Sequence, residues 1–134
     1  MRPKRVGRSL TNLLAKSSIV YQPKGTVLII SPWNYPFQLT MSPLVSAIAA
    51  GNCIVLKPSE HSPYTSSVIR MMISEAFDCK EIVCIEGEKS TAETLLKLPF
   101  DHIFFTGSSV VGKQIIRAAS DHLSSVTLEL GGKS

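Results

Sequence analysis

Ile103-Phe104-Phe105-Thr106-Gly107-Ser108-Ser109-Val110-Val111-Gly112-Lys113 is the stretch on which the fold turns. Ile103 to Phe105 is an apolar run of the kind that forms a buried strand. A glycine-bounded turn follows, then apolar residues at helical spacing: Val111, Ile115, Ile116 and Ala119. A strand that feeds a glycine turn at a helix N-terminus leaves backbone N–H groups aimed outward, and an anion fits there. The phosphate of a nucleotide or dinucleotide is the anion this arrangement predicts.

The same alternation continues on both sides of this unit. Thr26–Ser31 is apolar and β-branched, a buried strand. Phe37–Ala50 carries Leu39, Leu44, Val45, Ile48 and Ala49 at helical spacing and stops at Gly51-Asn52. Cys53–Lys57 is a short strand ended by Pro58. Ser62-Pro63 opens a helix to about Phe77, with Val68, Ile69, Met72, Ile73 and Ala76 on one face. Glu81–Glu86 reads as a third strand. Ser90–Leu98 reads as a helix whose Ser90-Thr91-Ala92-Glu93 has the form of a capping box. His102–Thr106, Val110–His122 and Ser125–Leu130 complete the series as strand, helix and strand.

Continuously apolar strands between amphipathic helices predict an α/β fold: a Rossmann-like open parallel sheet of about five strands, with helices on both faces. Right-handed crossovers place every strand C-terminus on one rim. Ligands of open α/β sheets bind at that rim. The segments expected there are Pro32–Asn34, Lys57–Glu60, Gly87, Gly107-Ser108 and Gly131. Residues 1–17 read as a basic N-terminal arm with no place in the core.

The length, 134 residues, is that of one ordinary domain, and 44% hydrophobic residues is a globular composition. Net charge is +4, unevenly spread: no Asp or Glu precedes Glu60, while Arg2, Lys4, Arg5, Arg8, Lys16, Lys24 and Lys57 do. A basic half can attract an anionic cofactor, nucleic acid or a membrane surface, or be covered by an acidic neighbouring segment. The first eighteen residues also have a mitochondrial transit composition, with no cleavage signal. Pro32, Asn34, Pro36, Gln38, Pro43 and Asn52 break the uncharged stretch Gly25–Leu56, so no membrane span is expected. Cys53, Cys79 and Cys84 follow no metal spacing. Cys53 and Cys84 sit in apolar runs and read as buried, and a cytoplasm-like reducing compartment suits all three.

Each rim motif has a chemical reading and a plainer one. Gly107, Gly112 and Lys113 match a P-loop, but Gln114 stands where the Mg²⁺-binding hydroxyl belongs. Asn34 can donate into a rim cleft and stabilise an oxyanion, or simply cap the next helix. Lys57 and Glu60 can bind ribose hydroxyls, or form a surface ion pair. Glu129, in Val126-Thr127-Leu128-Glu129-Leu130, can be a desolvated general base or an exposed strand residue. His61, His102 and His122 do not cluster as metal ligands.

Pro32-Trp33-Asn34-Tyr35-Pro36, Leu56-Lys57-Pro58-Ser59-Glu60, Phe105-Thr106-Gly107-Ser108 and Leu128-Glu129-Leu130-Gly131-Gly132-Lys133-Ser134, taken together, resemble the aldehyde dehydrogenase superfamily. The Trp-Asn-Tyr-Pro form and Ile19-Val20-Tyr21-Gln22-Pro23-Lys24-Gly25 are most similar to its class 3 and fatty-aldehyde branch. The resemblance runs from about residue 2 to the last residue and implies that residues 18–134 form a partial dinucleotide-binding domain.

It further implies NAD or NADP as cofactor and Asn34 as donor to the oxyanion of a thiohemiacetal. It makes Glu129 the activator of the hydrolytic water. It assigns cofactor contacts to Ile30, Pro32, Trp33, Lys57, Ser59, Glu60, Gly87, Thr106, Gly107, Ser108, Val111, Gly112, Leu130 and Gly131. The family reaction couples a Cys nucleophile to hydride transfer and hydrolysis, turning an aldehyde into a carboxylic acid. The implied substrate is an aldehyde, an apolar one in this branch. No nucleic-acid partner is implied, and the resemblance implies a homo-oligomeric whole enzyme.

In the family the nucleophilic Cys lies beyond the Glu-Leu-Gly-Gly-Lys motif, after a Gly-Gln segment. None of the three cysteines here is in that context. The expectation is a fragment with the general base but without the nucleophile, inactive alone and prone to aggregate through bare apolar surface. A non-catalytic binding or assembly module and a P-loop-like nucleotide-binding protein are the other readings of the same residues.

Overall fold

A computed structural model describes residues 2–7 and 16–132. Residues 8–15 of the expected arm and the Lys133-Ser134 end of the last motif lie outside them. The elements in order are β1 (Lys4–Arg5), β2 (Ser18–Ile19), β3 (Thr26–Ile30), α1 (Pro36–Ala49), β4 (Cys53–Lys57), α2 (Pro63–Ala76), β5 (Ile82–Cys84), α3 (Lys89–Leu95), β6 (His102–Gly107), α4 (Ser109–Ser120) and β7 (Ser125–Leu130). β1 and β2 form an exposed antiparallel pair apart from the main sheet.

The main sheet has five parallel strands in the order β5-β4-β3-β6-β7. This is the doubly wound order, in which the chain leaves the central strand in one direction and returns to its other side. β3 is central, so both its faces are covered and Val27, Leu28, Ile29 and Ile30 are all buried. Each such residue contributes about 1.5–3 kcal/mol of hydrophobic stabilisation.

Alternation along the strands divides the interior into two cores. Val27, Ile29, Ile54, Leu56, Ile82 and Cys84 meet Leu44 of α1 and Ile69 and Ile73 of α2. Leu28, Ile30, Ile103 and Phe105 meet Leu95 of α3 and Ile115 and Ala119 of α4. Helices therefore cover both faces, as the sequence predicts.

The helices bury narrower stripes than their sequences offer. Val45, Ile48, Val68, Met72, Val111 and Ile116 are exposed, although they continue the apolar spacing. One further expectation fails locally. α3 starts at Lys89 after an N-cap at Glu88, with no side-chain cap. Ser90 is therefore already inside the helix, and the capping box does not form. Prolines at the first turn of α1 and α2 set both starts, since their missing N–H would be unpaired there anyway.

Candidate functional site

β3 and β6 are neighbours, yet their chains depart to opposite faces, and this opens a crevice at their C-terminal ends. The crevice is the middle of an open cleft of about 1440 Å³. Ile30, Pro32, Trp33 and Asn34 line it from β3, and Lys57, Ser59 and Glu60 from β4. Thr106, Gly107, Ser108 and Val111 line it from β6 and α4, and Glu129, Leu130 and Gly131 from β7. Four segments far apart in sequence thus converge on one rim because every strand points the same way.

Two of the expected contact residues lie elsewhere. Gly112 is buried in α4, where an added Cβ would come within 3.0 Å of Leu130 Cδ2. Its smallness lets α4 sit close on β7, so it acts through packing. Gly87 does not line the cleft either; Thr91 Oγ1 occupies the space where its Cβ would lie.

Residues 109–113 are helical, so Gly107 and Gly112 do not bound a phosphate-wrapping loop. This removes the P-loop reading. What remains is the N-terminus of a twelve-residue helix capped by Ser108, whose Oγ accepts from Val111 N–H at 3.4 Å.

Lys57 ends β4 only 2% exposed. Its Nζ donates to the Pro58 carbonyl at 2.9 Å and to Glu60 Oε2 at 3.3 Å. Two acceptors leave one of three N–H groups for the cleft that it lines. Burial opposes ionisation of Glu60, but its own backbone N–H and the Lys57 ammonium outweigh that and hold the carboxyl below its ordinary value of 4.5. The pair is intact above that value and is lost as pH falls through the depressed one.

Asn34 is exposed, and its side-chain amide makes no hydrogen bond among the described residues. It is not a helix cap: Tyr35 occupies that position in a left-handed conformation, φ 45°. The loop is held from beneath by a pair not foreseen from sequence. Thr40 Oγ1 donates to the Pro36 carbonyl at 2.7 Å and lies 2.6 Å from Ser31 Oγ, with both residues buried. A threonine four residues after Pro36 was the one available signal.

Glu129 is exposed. β7 is an edge strand, and α4 packs on it from one side only. Glu129 is the register partner of Thr106 and shares its face of the sheet.

Of the two cysteines expected to be buried, Cys84 is buried and Cys53 is not. Cys53 is exposed at the first residue of β4, at the end of the sheet opposite the rim. Cys79 is exposed in the segment before β5, again at that far end. Cys84 is buried, and burial, with a smaller push from Glu86, raises its thiol to about 11. Among the described residues no group of three His, Cys, Asp or Glu could hold a metal ion. No described helix is long and apolar enough to cross a membrane.

A doubly wound parallel sheet with a helix N-terminus at its switch point defines the Rossmann-like class of fold. Residues 5–134 match the aldehyde dehydrogenase family, and the chain belongs to that family. It is 53% identical over 131 residues to 4,4'-diaponeurosporen-aldehyde dehydrogenase of Staphylococcus aureus, covering 98% of this chain and 28% of that one. It is 45% identical over 134 residues to aldehyde dehydrogenase family 3 member H1 of Arabidopsis thaliana, covering all of this chain and 28% of that one.

Among solved structures, the substrate-bound state of Staphylococcus aureus AldH superposes with a TM-score of 0.95 at 52% identity, over 99% of this chain and 29% of that one. The Mycobacterium tuberculosis aldehyde dehydrogenase complexed with NAD+ superposes with a TM-score of 0.86 at 33% identity, over 98% of this chain and 27% of that one. The chain therefore spans less than a third of the length of these relatives.

Proposed function

We propose that this chain binds the adenosine and pyrophosphate parts of NAD+ across the β3–β6 crevice. Within a longer polypeptide it then serves the oxidation of apolar aldehydes to carboxylic acids. The observation that carries this reading is the meeting, on one rim, of the Asn34 loop, the Lys57–Glu60 pair, the α4 N-terminus and Glu129.

The donor set fits the cofactor. Lys57 and Glu60, with Ser59 beside them, offer a cation and a carboxylate to ribose hydroxyls. Gly107 has room only for hydrogen, since a Cβ there would come within 2.5 Å of the Phe105 ring. The free backbone N–H groups of the first turn of α4, which follows Ser108, suit a pyrophosphate. Thr106, Ile30, Pro32, Trp33, Leu130, Gly131 and Val111 line the same cleft and would hold the rest of the dinucleotide. The ionised Glu60 disfavours a 2′-phosphate, which selects NAD over NADP. The bound dinucleotide supplies the hydride acceptor.

Asn34 donates to an oxygen that gains negative charge, a role worth about 10²–10³ in rate. Glu129 takes a proton from water once another part of the polypeptide desolvates it. The named action of the Staphylococcus aureus relative on an aldehyde of diaponeurosporene supports an apolar substrate. Three free thiols support a reducing, cytoplasmic setting, and the family likeness supports a homo-oligomeric whole enzyme.

Calorimetry with NAD+ and a steady-state assay with a medium-chain aldehyde test the reading. NAD+ should bind, but weakly, because a helix N-terminus adds only about 0.3–1 kcal/mol for an exposed anion. The 134-residue chain should show no turnover, since no cysteine is both reactive and on the rim. No NAD+ binding at all, or turnover lost with a single cysteine, would overturn it.

A further inference from the structure

Ser62 stands at the N-cap of α2, where a serine ordinarily accepts a hydrogen bond from its own helix. Here it makes no such bond. Its Oγ instead donates to the Trp33 carbonyl at 3.0 Å, across 29 residues of sequence. Trp33 immediately precedes Asn34, and Ser62 closes the loop that begins after Lys57.

At their roots the two loops are hydrogen-bonded where Ser31 N–H donates to the Lys57 carbonyl at 3.2 Å. At their tips the Ser62–Trp33 bond is the single hydrogen bond between them among the described residues. Each loop is separately stiff. Buried Ser66 ties the second loop by donating from Oγ to the carbonyls of Ser59 and Ser62, each at 3.0 Å. The Ser59 hydroxyl accepts from His61 N–H at 3.2 Å. The first loop is held by Thr40 and Ser31 and contains Tyr35 at positive φ, a conformation that persists only where its surroundings enforce it.

We infer that the Ser62 hydroxyl is a positioning residue. It couples the loop that holds the cofactor's ribose to the loop that presents Asn34, so that filling the first sets the position of the second. The inference rests on the cofactor reading above, which places ribose at Lys57 and Glu60. Two stiff loops joined by one side-chain bond transmit a displacement that either alone would absorb. Ser62 itself does not line the cleft.

The test uses the isotope-labelled 134-residue chain and AMP, which carries the adenine ribose and its 5′-phosphate and lacks the nicotinamide half of the dinucleotide. In the unsubstituted chain AMP should move the backbone resonances of Lys57–Glu60 and also the side-chain amide resonances of Asn34. In Ser62→Ala the Asn34 response should vanish, while the Lys57–Glu60 response and the AMP affinity stay within about twofold, as expected for loss of one remote neutral hydrogen bond. Ser62→Thr keeps the hydroxyl and should restore the response.

An Asn34 response that persists in Ser62→Ala overturns the coupling. A Lys57–Glu60 response with none at Asn34 in the unsubstituted chain overturns the coupling alone. No response at either place overturns the coupling and the cofactor reading together.

Discussion

Lys57 Nζ and Glu60 Oε2 are 3.3 Å apart, yet the lysine is almost fully buried and the carboxylate is a third exposed. The asymmetry orients the pair: the ammonium is fixed by the Pro58 carbonyl beneath it, and the carboxylate faces the cleft.

Lys57→Met should therefore act on both folding and binding. It strips the donor from the Pro58 carbonyl and the partner from Glu60, at a cost of about 1–3 kcal/mol by urea denaturation. NAD+ affinity should fall by roughly tenfold or more, the worth of one charge-assisted hydrogen bond. Glu60→Gln keeps an acceptor but removes the charge, so NADP+ should gain on NAD+. Equal changes for the two dinucleotides would remove Glu60 from the 2′ side of the ribose.

His102 makes stability depend on pH at the other end of the sheet. Its Nδ1 lies 2.8 Å from Ser125 Oγ and its Nε2 3.2 Å from Thr127 Oγ1. Lys24 Nζ donates to the same Ser125 hydroxyl at 2.8 Å, which puts a cation one hydroxyl away from the ring. Burial, and then the Lys24 charge, lower the His102 pKa below its ordinary 6.5. The unfolded chain takes up the proton first, so this stabilisation is complete above 6.5 and is lost as pH falls through the folded value. The Tm should drop between about pH 7.5 and about pH 5.5, and His102→Gln should flatten that part of the curve. An unchanged slope in His102→Gln would assign the effect elsewhere.

Sequence alone carries the fold because parallel strands buried on both faces read as unbroken apolar runs, and Val27–Ile30 shows this most plainly. It carries the rim for the same reason, since polar and glycine residues can interrupt those runs only where strands end. It carries less of what depends on tertiary neighbours. Ile69 and Met72 share one helical spacing, and only contact with the sheet decides that Ile69 is buried and Met72 is not. Cys53 and Glu129 both lie in apolar strands, yet one sits at a strand's exposed start and the other on an edge strand. The burial of Lys57, Thr40 and Ser66 has no sequence period, because each is satisfied by partners that folding alone brings close.

Gly25 shows where the sheet's lower end is least forgiving. Its φ of +126° is outside what residues with a Cβ readily adopt, and a Cβ there would lie 2.1 Å from Asp101 Oδ2. That same oxygen accepts the Thr26 N–H at 2.7 Å and so joins the start of β3 to the start of β6. Gly25→Ala should strain the backbone and displace this bond together, costing roughly 2–4 kcal/mol by chemical denaturation. Asp101→Ala loses only the hydrogen bond and should cost about 0.5–1.5 kcal/mol. In the double variant the steric clash has no partner left, so the combined loss should be smaller than the sum of the two. A strictly additive result would mean that the carboxylate is not what Gly25 makes room for.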